Sequence, residues 1–272
     1  MEKVKGDEMK DRSQKKTLII AIVMLVMIGI GILETIGLSE RKETIQEAMR
    51  DAVVHDANRI AIPGGLAVDP SLVSGFIVTG IILFAALLLR IFVIPRFTLV
   101  PGKLQFLIEE WVGIFDRMAK SSSPHKTEPL GAYIFAAGTY IFVGTMFELF
   151  GFQAVTTTGH SIALPAPLAD INGAISMGCL SYLFILVGGF VVNRMKGVGN
   201  ALKEFSLPIS MTFRLFGALL SGMLTTELVY HYITLSFVLP VVVGVLFTLL
   251  HAVIQAYVLT MLTSVYYGEV TE

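Results

Sequence analysis

Charge is the first thing this sequence is short of. Asp, Glu, Lys and Arg make up 15% of its 272 residues, where a soluble domain carries about 25%. Hydrophobic residues make up 54%. That balance argues against an ordinary soluble surface and points to a chain solvated by lipid. Cysteine is scarcer still, with Cys179 alone inside an apolar run. One thiol makes no internal disulfide and no thiolate metal cluster, so Cys179 reads as a small packing residue. A net charge of −1 offers little to a phosphate backbone, and no nucleic acid partner is expected. His-Glu-x-x-His runs, Gly-x-Ser-x-Gly elbows and phosphate-binding glycine loops do not occur. Small-molecule catalysis therefore has no visible machinery, and no cofactor is expected. Internal repeats and low-complexity tracts are also missing.

Long apolar runs are what the chain has. A membrane-spanning helix needs about 20 mostly apolar residues. Six segments qualify: Thr17–Leu38, Ser71–Ile94, Gly131–Phe152, Asn172–Val192, Leu207–Tyr230 and Ser236–Gly268. The expected fold is all-α and polytopic, with six crossings. The last segment has 33 residues and would be ~50 Å long, against a hydrocarbon core of ~30 Å. It must tilt, kink or project. Pro101–Met118 mixes Leu104, Phe106, Leu107, Trp111 and Phe115 with Gln105, Glu109, Glu110 and Arg117 at helical spacing. It reads as an amphipathic helix on the membrane surface. Residues 1–70 read as a tail, an extra anchor helix and an outer loop, and 71–272 as the main membrane domain. Thr17–Leu38 is longer than a signal-peptide core, and no small-x-small site follows it before Glu40, so a retained anchor is expected. Gly64, Gly65, Pro70 and the Ser121–Pro124 run mark loops.

Lysine and arginine set the orientation. Six lie in the first 16 residues, five in 95–130 and three in 193–206. The alternate loops hold four in 39–70, offset by six acids, and none in 154–171 or 231–235. Both termini are therefore expected on the cytoplasmic side. Only Arg90, near a helix end where it can snorkel, and Arg214 fall within spans.

A charge at the bilayer centre costs roughly 2.5–3.5 kcal/mol on insertion scales. Arg214 keeps its proton in any protein environment, so its place calls for either a structural ion pair or a function. Its helix face carries Gly217, Ala218, Ser221, Gly222 and Thr225, small residues that let another surface approach closely. The last two spans form a hairpin about Ile233–Leu235. This puts Gln255 level with Arg214 and His251 level with Ala218. A glutamine there accepts the arginine's hydrogen bonds without neutralising it. Glu148, Asp170, Asn172, Glu227 and His231 lie toward the outer face. Glu204, Ser206, Ser210, Thr212, Thr263, Ser264, Tyr266 and Glu269 lie toward the inner face. The pattern is two polar vestibules with an arginine between them. Outer polar residues also meet water with no further role, so that alternative stands. His251 is either a satisfied core residue or a proton relay, because histidine titrates near neutral pH.

Ser206-Leu-Pro-Ile-Ser-Met-Thr-Phe-Arg214-Leu-Phe-Gly217 resembles the signature of subunit a of the F-type ATP synthase. Four further stretches agree in order: Val100-Pro-Gly-Lys103 with its amphipathic helix, Ala169-Asp-Ile-Asn172, Met195-Lys-Gly-Val-Gly199 and the block from Gln255 to Thr263. The likeness covers about Ser71 to Gly268. It implies an ion-translocating stator beside a rotating ring of subunit c. Two half-channels would serve the ring's carboxylates with protons, or with sodium ions in some members. The other implied partners are the subunit b stalk, the remaining synthase subunits and membrane lipid. The implied location is a bacterial cell membrane. Arg214 takes the place of the family arginine, Gln255 that of its glutamine neighbour, and Glu148 that of an outer-channel acid. The face from Gly217 to Thr225 would meet the ring. Asn172 and Glu227 join Glu148 and His251 as ion-path candidates. Ala218 stands where the family commonly has Asn, Met223 where it has an acid, and Thr248 where it has a histidine, with His251 one turn inward.

Two rival classes remain. A self-contained transporter would use Arg214 as counter-ion, but no inverted repeat or broken helix pair is visible. A membrane-embedded enzyme would pair Glu227 with His251. On the hairpin register those two stand ~13 Å apart in helix rise, too far for an acid–base dyad.

Overall fold

Hydrocarbon offers no hydrogen bonds, so every amide of a spanning segment must bond within the segment. The described apolar runs accordingly fold as helices. The computed structural model describes residues 60–62, 66–124, 127–155, 161–231 and 239–271. Thr17–Leu38 and the Ile233–Leu235 turn lie outside them. A small antiparallel hairpin comes first, β1 (Ile60–Ile62) with β2 (Leu66–Val68). Helix α1 (Pro70–Leu88) starts on Asp69, whose carboxylate accepts from the Ser71 amide at 2.9 Å. Pro70 occupies the first turn, where its missing N–H costs nothing. The helix runs on through a π turn (Leu89–Val93) and a 3-10 turn (Ile94–Arg96). Then come α2 (Lys103–Ser122), α3 (Thr127–Phe147) with a terminal 3-10 turn (Glu148–Phe150), and a second hairpin of β3 (Gln153–Val155) and β4 (Ser161–Ala163). The last elements are α4 (Ile171–Lys203), α5 (Ser206–His231) and α6 (Leu239–Thr271).

Among the described residues, four helices are long and apolar enough to cross a membrane: Pro70–Arg96, Glu128–Phe150, Ile171–Lys203 and Gly244–Thr271. The 26-residue α5, which carries Arg214, joins them in the bundle. The chain is an all-α polytopic membrane protein, and the two short hairpins are additions to what the sequence suggests. As predicted, α2 is amphipathic. Phe115, Met118 and Ala119 are buried, and Trp111 donates to the Thr139 hydroxyl at 3.2 Å.

One departure from the sequence-based expectation comes from close backbone approach at glycine. The basic residues of 193–206 predict a loop. Instead α4 breaks at Arg194 (φ 49°, ψ −131°) and folds back on itself as a helix. Gly197 then lies against the Gly189 carbonyl, and the Tyr182 hydroxyl donates to the Ala201 carbonyl at 3.1 Å. That φ/ψ region is one that side chains rarely enter, and it costs about 1–3 kcal/mol. The packing of the fold-back must offset that cost.

Helix α6 runs its 33 residues without a break in its backbone angles, which sets aside the kink and leaves tilt or projection. Near its end the Ser264 hydroxyl donates to the Met118 carbonyl at 3.2 Å, and the Asn193 amide donates to the Val270 carbonyl at 2.9 Å. Gly268 lies against the Ser122 carbonyl, and Tyr267 fills the space over Gly188. The C-terminal end of α6 is thus gripped between α2 and the break in α4. Rings continue the contact inward. Tyr133 stacks on Phe184 at 4.2 Å, and Phe184 on Tyr267 at 5.1 Å.

Gly268→Val is expected to destabilise the purified chain by about 1–3 kcal/mol, because the added carbon meets backbone that has nowhere to go. A β-carbon added at Gly80 would meet nothing within 4 Å, so Gly80→Ala is expected to leave stability equal or slightly raised. Thermal unfolding in detergent compares the two.

Candidate functional site

Leu207, Met211, Leu215 and Leu219 bury one side of α5 against the bundle. A helix repeats every 3.6 residues, so Ser210, Phe213, Arg214, Gly217 and Ser221 are turned outward, and all are exposed. Arg214 stands eight residues into the helix, ~12 Å of rise from its start. Among the described residues it makes no ion pair and no side-chain hydrogen bond. Gly217 has open space where a β-carbon would stand. Ala218, Gly222 and Thr225 are half-buried on the flank nearer α6. A permanent cation therefore faces out of the bundle, beside a nearly bare strip of helix.

Gln255 is not its hydrogen-bond partner here. It is 5% exposed and turned to the core, where its Oε1 is buried and unbonded. The cause is the direction of side chains. Each Cα–Cβ bond tilts toward the N-terminus of its own helix. In an antiparallel pair, residues level in the backbone therefore send their side chains apart. Arg214 reaches one way along the pair and Gln255 the other.

The same tilt corrects the expected place of His251. Its Nδ1 lies 2.8 Å from the Phe247 carbonyl, one turn back along α6. A carbonyl only accepts, so Nδ1 carries the proton and Nε2 has no partner among the described residues. The ring meets Gly222, whose β-carbon position lies 3.7 Å from Nδ1, rather than Ala218. Around it, Thr145 and Glu148 from the end of α3, Leu219 and Gly222 from α5, and Thr248 from α6 enclose a cavity of about 10 Å³. That is about the room one water needs. Glu148 is placed there because the helix tightens into its 3-10 turn and stops at Gly151, φ 59°. The sequence points to both Glu148 and His251 but not to their meeting, and it gives no sign of Thr145.

Asn172 stands elsewhere. With Asp69, Ser71, Tyr140, Asp170 and Ser176 it lines a separate cleft of about 500 Å³ between α1, α3 and the start of α4. Asp170 is used there as a helix cap, accepting from Asn172 and Gly173 at 2.9 and 3.2 Å. Of Glu227 the helical backbone is described and the side chain is not. At the start of α5 Ser206 and Ser210 are exposed, while Thr212, and Thr263 and Ser264 of α6, are buried and bonded to carbonyls. One buried polar pair has no signal in the spacing: the Tyr133 hydroxyl and Ser181 hydroxyl, 2.8 Å apart between α3 and α4. Among the described residues, no group of three or more His, Cys, Asp or Glu is placed to hold a metal ion.

Residues 72–268 match the family described as ATP synthase A chain. Similar curated proteins carry the name ATP synthase subunit a. That of Cereibacter sphaeroides is 25% identical over 183 residues, which cover 63% of this chain and 70% of that protein. That of Acidothermus cellulolyticus is 28% identical over 218 residues, 74% of each chain. That of Histophilus somni is 28% identical over 206 residues, 61% of this chain and 76% of that protein.

A buried polar atom without a partner costs about 1–3 kcal/mol. Gln255→Met, which keeps the volume and removes the orphaned oxygen, is therefore expected to raise the unfolding temperature of the purified chain. A fall on the same measurement would mean that Gln255 is held by a hydrogen bond to its own chain.

Proposed function

This chain belongs to the ATP synthase A chain family, and from that premise we propose that it is the proton-conducting stator of an F-type ATP synthase, passing protons to the carboxylates of a ring of subunit c. It is held beside that ring by the subunit b stalk, within a cell membrane. One observation carries the reading: the cation at Arg214 has no acid of its own chain among the described residues and faces outward over Gly217 and Ser221. A charge left unneutralised at such depth is costly, unless a partner supplies the opposite sign.

The chemistry follows from that charge. A ring carboxylate arriving beside Arg214 is stabilised in its ionised form, so it gives up its proton toward Ser206 and Ser210. To return to lipid it must be neutral again, and it takes a proton from the outer side. Glu148 and His251, around a cavity with room for one water, form the outer relay. The unpartnered Nε2 accepts, and the Nδ1 proton stays with the Phe247 carbonyl. This replaces the pair that the family commonly has at the positions of Met223 and Thr248. Glu227 stands toward the mouth of that path, whereas Asn172 lines the separate cleft beside α1. The fixed guanidinium repels protons, so the two paths do not join directly. Each charge that crosses ~100 mV releases about 2.3 kcal/mol, which biases the ring's rotation. A sodium path would call for oxygen ligands, whereas an imidazole in the relay favours protons.

Arg214→Ala is expected to abolish ATP-driven acidification of inverted vesicles carrying the whole complex, leaving at most a passive leak. Arg214→Lys should fail as well, because a compact ammonium does not reproduce the planar fork. Pumping by the unaltered complex is expected to proceed in sodium-free buffer. Normal pumping by Arg214→Ala, or an absolute need for sodium, would overturn the corresponding part of this reading. Uphill transport by the chain alone in liposomes would favour a self-contained transporter.

A further inference from the structure

We infer that the elbow between α1 and α2 is a binding site for the phosphate headgroup of an anionic phospholipid. The elbow runs from the π turn at Leu89 to the first residue of α2, Lys103. Three cations stand on it: Arg90, Arg96 and Lys103, all exposed. None has an ion-pair or side-chain hydrogen-bond partner among the described residues.

The bases further along α2 are treated differently. Arg117 is paired with Glu110, and Lys120 with Asp116, each at 2.6 Å. The neighbouring acid Glu109 is engaged by Gln105 at 2.7 Å, and the first turn of α2 holds no acid. Positive charge on this face is thus segregated, with paired bases over the later part of α2 and unpaired ones on the elbow.

The surface between the cations is apolar. Phe92, Leu99, Leu104 and Leu107 are all more than half exposed, and Leu99 entirely so. Exposed apolar side chains at the end of a span suit acyl chains, and the cations beside them suit the charge layer just above. A zwitterionic headgroup presents its own cation there and is a poorer fit. An anionic headgroup satisfies both features at once. A soluble phosphate would use the cations and leave the apolar side chains uncovered.

The test uses the full chain in nanodiscs made from equal parts phosphatidylglycerol and phosphatidylcholine. The lipids it retains on release are counted by native mass spectrometry. Phosphatidylglycerol is expected to be enriched. Arg90→Gln, Arg96→Gln and Lys103→Gln are each expected to lower the enrichment, by roughly fivefold per charge removed. The Arg117→Gln, Lys120→Gln double variant, which removes two paired cations, is expected to leave it unchanged. Each single variant is read separately, so one that does not fold leaves the other two to decide. No enrichment in the unaltered chain overturns the inference. So does an equal loss in the double variant, displacement of the lipid by millimolar inorganic phosphate, or crosslinking of the elbow to another subunit in the intact complex.

Discussion

A guanidinium turned out of the helix bundle of a membrane protein, with no carboxylate of its own chain described against it, constrains the rest of this molecule. Arg214 does not shed its proton, so the surroundings have to accommodate a charge. Three features do so. Its flank of α5 is stripped to Gly217, Ala218 and Ser221, which opens it to a neighbouring surface. The opposite flank is anchored by Met211, Leu215 and Leu219, which are buried in the core. The polar group expected to bond it, Gln255, is turned inward and leaves the cation uncommitted. Each feature alone would be ordinary helix packing. Together they describe a charge held ready for a partner.

Holding α5 in that attitude falls to α4, whose Gly178 lies against Thr212 and the Pro208 carbonyl, and to α6. Small residues on the adjoining helices let α6 lie close: Gly138 meets Phe115 and Thr260, Gly188 meets Tyr267, and Gly189 meets Val270. Lipid supplies little hydrophobic drive between helices, so close backbone approach and buried hydroxyls carry the association. Many of those hydroxyls bond within their own helix, as Thr260 does to the Ala256 carbonyl and Thr263 to the Leu259 carbonyl. They add polarity to the interior without leaving a donor unmet.

Much of this is legible in the amino-acid order alone. The apolar runs mark the helices, and the mixed period of Pro101–Met118 marks a surface helix. Arg214 stands out because a charge in such a run is expensive. What is not legible depends on directions rather than identities. The basic residues Arg194 and Lys196 read as a loop, because cationic residues normally mark the end of a span. The fold-back is signalled only by Gly189 and Gly197, whose spacing means something once two backbones are known to touch. The Ile60–Val68 hairpin has its signal in Pro63-Gly64-Gly65 between two short apolar runs, a pattern that an irregular loop shares. Backbone level alone pairs His251 with Ala218 and Gln255 with Arg214. Side chains tilt along their helix, so His251 lies beside Gly222 and Glu148, and Gln255 misses the arginine.

The grip on the C-terminal end of α6 has a mechanical consequence. Ser264, Gly268 and Val270 are fastened to α2 and to the break in α4. The other half of the helix shows Val242, Leu246, Leu250 and Ile254 on its surface. A rod clamped at one end behaves as a cantilever: load applied along it is felt as a bending moment at the clamp. A sideways push on α6 is therefore borne at the junction with the amphipathic helix α2. Stiffness would then rise from the N-terminal end of α6 to the C-terminal, and any recoil from a moving neighbour would be grounded there.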